Sequence, residues 1–307
     1  MEDIGQIVKD CLGFSDVSEA LERLTNLEDL YDRETVVAVY NRILQDKADS
    51  IILEETIRLS DNFRDKSTLP ILVDILLLKN AKDENEIENT THLRVLAAKA
   101  ISNYKDTSVV GSLLYCLNNK NEDYKIRLAC ADALGRIGDK YAVTPLINIV
   151  KDEDEKSIYV KESATFALGL IGDTSAIDPL VAIMDAKQGI LDKFSFLKEK
   201  IVEALGRLNL NNRNLLRVFK SALSDSSPFV RINAIEALMN SDYEETPDLI
   251  RGALHDEDEE VQRNALIALY NLIGRDILDE VISLPSYSEF LKQEAKDMLL
   301  EYEDDEE

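Results

Sequence analysis

The 307-residue chain holds only two histidines, His92 and His255, and three cysteines, Cys11, Cys116 and Cys130. A zinc site of standard ligands needs these residue types clustered at short spacing, and here they are scattered. The cysteine count is odd and no pair has CxxC spacing, which fits reduced, intracellular thiols rather than a disulfide framework. Cys130 is expected to pack as a small hydrophobe. Neither histidine stands in a motif that would make it the base for a serine or cysteine nucleophile. The eleven glycines fall singly, with no GxGxxG and no Walker A string, so a phosphate-cradling loop is not expected. Carboxylates are so abundant that acid pairs arise by chance and point nowhere. The sequence therefore nominates no catalytic, cofactor or metal residue, and a non-enzymatic role is expected.

Positive charge is scarce too. Lys and Arg number 35 against 60 Asp and Glu, a formal net charge of −25. A surface of that sign repels phosphate backbones and anionic lipid, so nucleic acid and membranes are poor partners. A basic protein surface is the better match. The most apolar run, 71 to 78, carries Asp74 and is far too short to cross a bilayer. The first residues, MEDIGQIVKD, are acidic where a secretory signal would be basic, so a cytoplasmic protein is expected.

What the chain has is a repeat. The stretch IRLACADALGRIGD (126 to 139) recurs with variations anchored on Arg94, Arg127, Lys161, Lys198, Arg231 and Gln262, in steps of 33, 34, 37, 33 and 31 residues. A period in that range means stacked helix pairs, each unable to bury its apolar face alone. One helix carries an R-x-x-A-A-x-A-L-G pattern and a Gly-Asp turn ends it. Gly138 and Gly172 suit the left-handed closing position, and Asp139 and Asp173 suit the N-cap of the next helix. Pro145 and Pro179 fall early in that second helix. The alanines are a packing device that lets helices approach closely.

Three segments lie outside this grammar. Residues 1 to 50 are amphipathic helices without a repeat match, expected to form an N-terminal cap on an array running from 51 to 300. The polar stretch 79 to 91 and the stretch 186 to 196, which holds Phe194 and Phe196, are inserted loops. The end, 301 to 307, is an acidic tail expected to be disordered.

Short acidic turns precede the anchors, with Asp225 six residues before Arg231 and Asp256 six before Gln262. At this point the chain resembles the HEAT-like repeats, in particular the short kind described in phycobilisome lyase subunits. That resemblance implies an all-α, right-handed α-solenoid in which turn acids and helix-start bases form a ladder. Arg94, Arg127, Lys161, Lys198, Asp225 and Arg231 match the ladder, whereas Gln262 departs from it. Some HEAT-like enzymes, the deoxyhypusine hydroxylases, hold di-iron through repeated His-Glu pairs; this sequence has no such pair.

In such stacks the alanine-bearing helix lines the concave side, so its outward slots can be read off by register. One slot holds Lys99, Asp132, Phe166, Glu203, Glu236 and Ile267; the other holds Val95, Leu128, Glu162, Glu199, Ile232 and Arg263. The candidate partner-binding residues are therefore Leu128, Asp132, Glu162, Phe166, Glu199, Glu203, Ile232 and Glu236, an acidic floor with apolar contacts. The expected function is a scaffold that binds a protein or peptide of basic character. Two alternatives stand beside it: a bilin lyase-like factor acting on a light-harvesting protein, which the family name implies, and an assembly factor for another enzyme.

Overall fold

The protein is described by a computed structural model covering residues 3–13, 16–46, 48–77, 90–186, 191, 196–208 and 212–304. Most of both inserted stretches, including Phe194, and the last three residues of the acidic tail lie outside the described residues. Among the described residues there are nineteen α-helices and no strand.

The helices begin where short acidic side chains are available to accept orphan backbone donors. Asp3, Asp16, Asp32, Asp49 and Asp123 each accept a hydrogen bond from a backbone N–H two or three residues on. This is the N-cap role, favoured also by the positive end of the helix dipole. Part of the chain's negative charge is thus used locally to start helices.

By Cα proximity the chain forms two compact units, one of residues 1–149 with 159–167 and the other of 150–158 with 168–307. The first unit opens with α1 (Ile4–Leu12), α2 (Val17–Thr25), the short α3 (Leu27–Leu30) and α4 (Arg33–Gln45). Their core holds Ile7, Leu24, Leu27, Val39, Tyr40 and Ile43, and Tyr40 satisfies its buried hydroxyl by donating to the Leu24 carbonyl at 3.0 Å. That core continues past residue 50 into α5 (Ser50–Phe63), through Ile52, Leu53 and Phe63.

Helix pairs come next: α6 (Leu69–Leu77) with α7 (Thr91–Tyr104), then α8 (Val110–Asn118) with α9 (Tyr124–Ile137). The alanine-bearing helices α7 and α9 lie directly against one another. After these come α10 (Val143–Lys151) and α11 (Ile158–Ile171).

The second unit repeats the plan. It contains α12 (Ile177–Asp185), α13 (Leu197–Arg207), α14 (Arg213–Ala222), α15 (Pro228–Met239), α16 (Thr246–Arg251), α17 (Glu259–Ile273), α18 (Asp276–Ser283) and α19 (Glu289–Asp304). Helices α13, α15, α17 and α19 pack in succession as one layer. Small residues set their spacing: a Cβ built on Gly206 of α13 would stand 2.8 Å from the Ala237 Cβ of α15, closer than real carbons approach.

The turns behave as their sequence predicts, with one refinement. Gly138 and Gly172 adopt φ of 78° and 71°. Asp139 and Asp173 then cap a single 3₁₀ turn that leads into the second helix, rather than the α-helix itself. The equivalent position after α7 is Lys105, also left-handed at φ 51°. A Cβ in that conformation is strained, at about 1–2 kcal/mol. Lys105→Gly is therefore expected to stabilise the protein by about 0.5–1 kcal/mol after the greater unfolded-state entropy of glycine is allowed for. Chemical denaturation would show a raised midpoint; a lowered one would mean that the lysine side chain is itself holding the turn.

Candidate functional site

The anchor residues are the most conspicuous polar groups in the core. Arg94, Arg127, Lys161 and Arg231 are all buried, Lys161 completely. A buried cation needs compensation, and three of the four find it first at a helix C-terminus, where carbonyls lack intrahelical donors. Arg94 Nε donates to Leu76 O at 2.8 Å, Arg127 Nε to Leu117 O at 2.8 Å and Lys161 Nζ to Ile149 O at 3.0 Å.

Arg94, Lys198 and Arg231 also take a carboxylate from the next repeat. Arg94 grips Glu122 through two parallel bonds of 2.9 and 2.6 Å, the geometry in which Arg binds carboxylate most strongly. Lys198 pairs with Asp225. Arg231 donates to the Asp225 carbonyl at 2.8 Å and to the Asp256 carboxylate at 2.6 Å. Asp225 thus gives its carboxylate to Lys198 and its carbonyl to Arg231. Each rung fastens one repeat to the next.

Gln262 occupies the same place with neutral chemistry. Its Nε2 donates to the Asp256 carbonyl at 2.6 Å, and its Oε1 accepts from Ser288 Oγ at 2.8 Å. The turn acid and the helix-start base are both replaced, so the rung keeps its hydrogen bonds and loses its charges.

The eight candidate partner-binding residues fall in both units. In the first, Leu128, Asp132, Glu162 and Phe166 are half-buried, and Asp132 accepts a hydrogen bond from Ser163 of α11. In the second, Glu199 and Glu203 on α13 face the same register as Ile232 and Glu236 on α15. Glu199 accepts from Ser227 Oγ at 3.1 Å, and its backbone carbonyl accepts from Asn233 at 3.0 Å. Glu203 accepts from Lys200 at 2.9 Å and Arg207 at 3.2 Å. Burial pushes the Glu203 carboxyl up, but its two cationic partners outweigh that and hold it below the usual range. Glu236 is exposed, while Ile232 is half-buried beside it. The acidic slots therefore differ in how much charge is already spoken for.

Sequence reasoning missed a second set of links between repeats. Arg251 bonds both oxygens of Glu280 at 2.7 and 2.9 Å, Arg263 grips Glu294 at 2.8 and 2.9 Å, and Arg217 grips Asp185 at 2.9 and 2.7 Å. The partners stand 29, 31 and 32 residues apart, about one repeat, which is the signal that could have found them. Cys116 and Cys130, both buried on α8 and α9, are also brought together: interaction with the Cys130 thiol lowers the pKa of the Cys116 thiol against the effect of burial. No group of three or more His, Cys, Asp or Glu residues with metal-binding geometry occurs among the described residues. No helix among them is long and apolar enough to cross a membrane.

Helix pairs of one repeat length, stacked through alanine-lined faces and tied by a turn-to-helix ladder, define an α-solenoid repeat protein. The model of HEAT repeats matches residues 88–158 and 188–270, and that of the PBS lyase HEAT-like repeat matches 160–186. The chain belongs to the HEAT-repeat family. No curated protein sequence matches it. Among solved structures it is similar to the CpcE–CpcF phycocyanin lyase complex of Nostoc, with 22% identity over 76% of this chain and 88% of that one at a TM-score of 0.48. It is also similar to the archaeal HEAT-like repeats protein of Thermococcus onnurineus, with 16% identity over 71% and 96% at 0.43. Human deoxyhypusine hydroxylase shows 16% identity over 87% and 95% at 0.35. HEAT-repeat folds commonly serve as scaffolds for protein partners.

Two predictions test the ladder and its electrostatics. Arg231→Ala leaves Asp256 poorly compensated and should cost about 3–5 kcal/mol; converting the neutral rung with Gln262→Arg and Ser288→Asp together should recover what either change alone loses, a coupling of about 0.5–3 kcal/mol in a double-mutant cycle. Strict additivity would show that the two side chains do not act as a rung. For acid, the Arg251 bonds hold Glu280 below its usual range, and the Arg263 bonds do the same for Glu294. A depressed carboxyl contributes stability above its unfolded pKa, about 4.3, and loses it as pH falls through the folded value. Calorimetric melting of the second unit should hold steady from pH 7 to about 5 and drop below about 4, with Glu280→Gln flattening that drop.

Proposed function

We propose that the chain is a non-enzymatic scaffold that holds a protein or peptide segment of basic character against the alanine-bearing helices. In the first unit the contact residues are Leu128, Asp132, Glu162 and Phe166; in the second they are Glu199, Glu203, Ile232 and Glu236. The observation that carries the proposal is the pairing of exposed Glu236 with half-buried Ile232 on α15, beside Glu199 at matching register on α13. An apolar side chain next to a carboxylate suits a lysine or arginine, whose aliphatic stem lies on the first while its charged head meets the second. Glu203 plays a lesser part, since Lys200 and Arg207 already hold it.

The test is capture of partners from native lysate at low and high salt by the parent chain and by a Glu199→Gln, Glu236→Gln variant. Two rim charges at about 0.5–1 kcal/mol each predict a partner retained about five- to thirtyfold more weakly by the variant, with a flatter salt dependence. Equal retention at every salt concentration removes the electrostatic part of the proposal.

One observation, the match of residues 160–186 to the PBS lyase HEAT-like repeat, favours a second reading in which the chain acts on a bilin-bearing protein. Under that reading, bilin added to the purified chain changes its absorbance spectrum; an unchanged spectrum excludes it.

A further inference from the structure

The second helices of the first unit carry a feature that neither the repeat packing nor the acidic slots account for. Tyr115 on α8 and Tyr141, in the 3₁₀ turn before α10, are 71% and 74% exposed, more than any other large hydrophobic side chain among the described residues. Amphipathic helices normally place polar groups at such positions. The two rings line one open cavity of about 650 Å³, a size typical of ligand sites. Leu114 and Pro145 add apolar lining, and Asn118 and Asn119 line it as well.

The lining holds no charged side chain, in a sequence where 31% of residues are charged. A basic ligand would find no carboxylate here, so this site is chemically different from the acidic slots. Its polar groups are neutral donors. Asn119 already uses its carboxamide oxygen to accept from Asn121 N at 3.1 Å, which leaves its NH₂ group as a donor. Neither tyrosine hydroxyl is engaged by another described residue.

We propose that this cavity binds an uncharged, proline-rich segment of a partner protein in the polyproline II conformation. A polyproline II helix has no internal hydrogen bonds, so its carbonyls are free to accept from the tyrosine hydroxyls and the asparagine amides. Its pyrrolidine rings form apolar ridges that pack against aromatic faces, and its backbone is ordered before binding, which keeps the entropic cost low. The six prolines of this sequence are dispersed singly, so these 307 residues supply no such segment. The site stands on different helices from the acidic slots and does not depend on them.

The experiment is a titration of the full chain into fluorescein-labelled decaproline, followed by anisotropy, with a Gly-Ser decapeptide carrying the same label as control. Three variants report on the site. Tyr115→Ala and Tyr141→Ala remove exposed rings. Gly111→Leu fills the cavity from a lining position where an added Cβ meets nothing within 4 Å. Saturable binding of decaproline, weakened about tenfold or more by each variant at unchanged melting temperature, is the expected result, and it corresponds to about 1.4 kcal/mol per change. Raising salt from about 0.05 to 0.5 M should alter the affinity less than about twofold, since no charge pair is formed. Absence of saturable binding at millimolar chain, equal binding of the Gly-Ser control, equal affinity in all three variants, or a steep fall with salt would each overturn the proposal. None of these results bears on Glu199 and Glu236, so the two proposals fail separately.

Discussion

The structure depends on cations at the repeat anchors that are held by the carbonyl end of a helix, by the carboxylate of a neighbouring turn or, for Arg94, by both. A helix C-terminus leaves carbonyls without donors, and a buried Arg or Lys leaves a charge without water. Each defect repairs the other, and the carboxylate completes the neutralisation. Because that carboxylate belongs to the next repeat, satisfying the local need also fixes the neighbour's position. Arg suits the role best through its planar fork, as Arg94 shows on Glu122. In the Gln262–Ser288 rung two neutral groups take the same positions and form hydrogen bonds where a buried ion pair would carry a desolvation cost.

Beside the ladder, the faces of the alanine-bearing helices are linked directly by Ser163 to Asp132 and by Asn233 to the Glu199 carbonyl. Those faces pack closely, to the point where Gly206 has no room for a side chain against Ala237. Close packing fixes which residues remain outward. The negative charge of the chain divides into three parts accordingly. Some aspartates cap helices, some acids complete rungs or cross-repeat pairs such as Glu280 with Arg251, and a remainder including Glu236 faces outward.

The two helices of a pair bear different kinds of exposed chemistry. The Tyr115–Tyr141 cavity is uncharged and lies on the second helices of the pairs, whereas Glu199, Glu236 and Ile232 lie on the first helices. A repeat fold permits this, since each helix pair is stabilised through its neighbours and its outward residues are free to vary.

The sequence by itself determined the helix-pair repeat, its register, the glycine closures at 138 and 172, and the identity of the ladder cations. All of these are local or periodic demands written at fixed spacing: a left-handed turn needs glycine, and a buried face needs apolar residues every three or four positions. Only the tertiary structure decided which carboxylate each cation takes, that Ser288 replaces an acid for Gln262, that Cys116 meets Cys130, and that Tyr115 and Tyr141 share a cavity. Those partners come from different helices. Sequence spacing sets which residues share a face, but distance between faces is set by how deeply the helices pack, and that is a property of the whole stack.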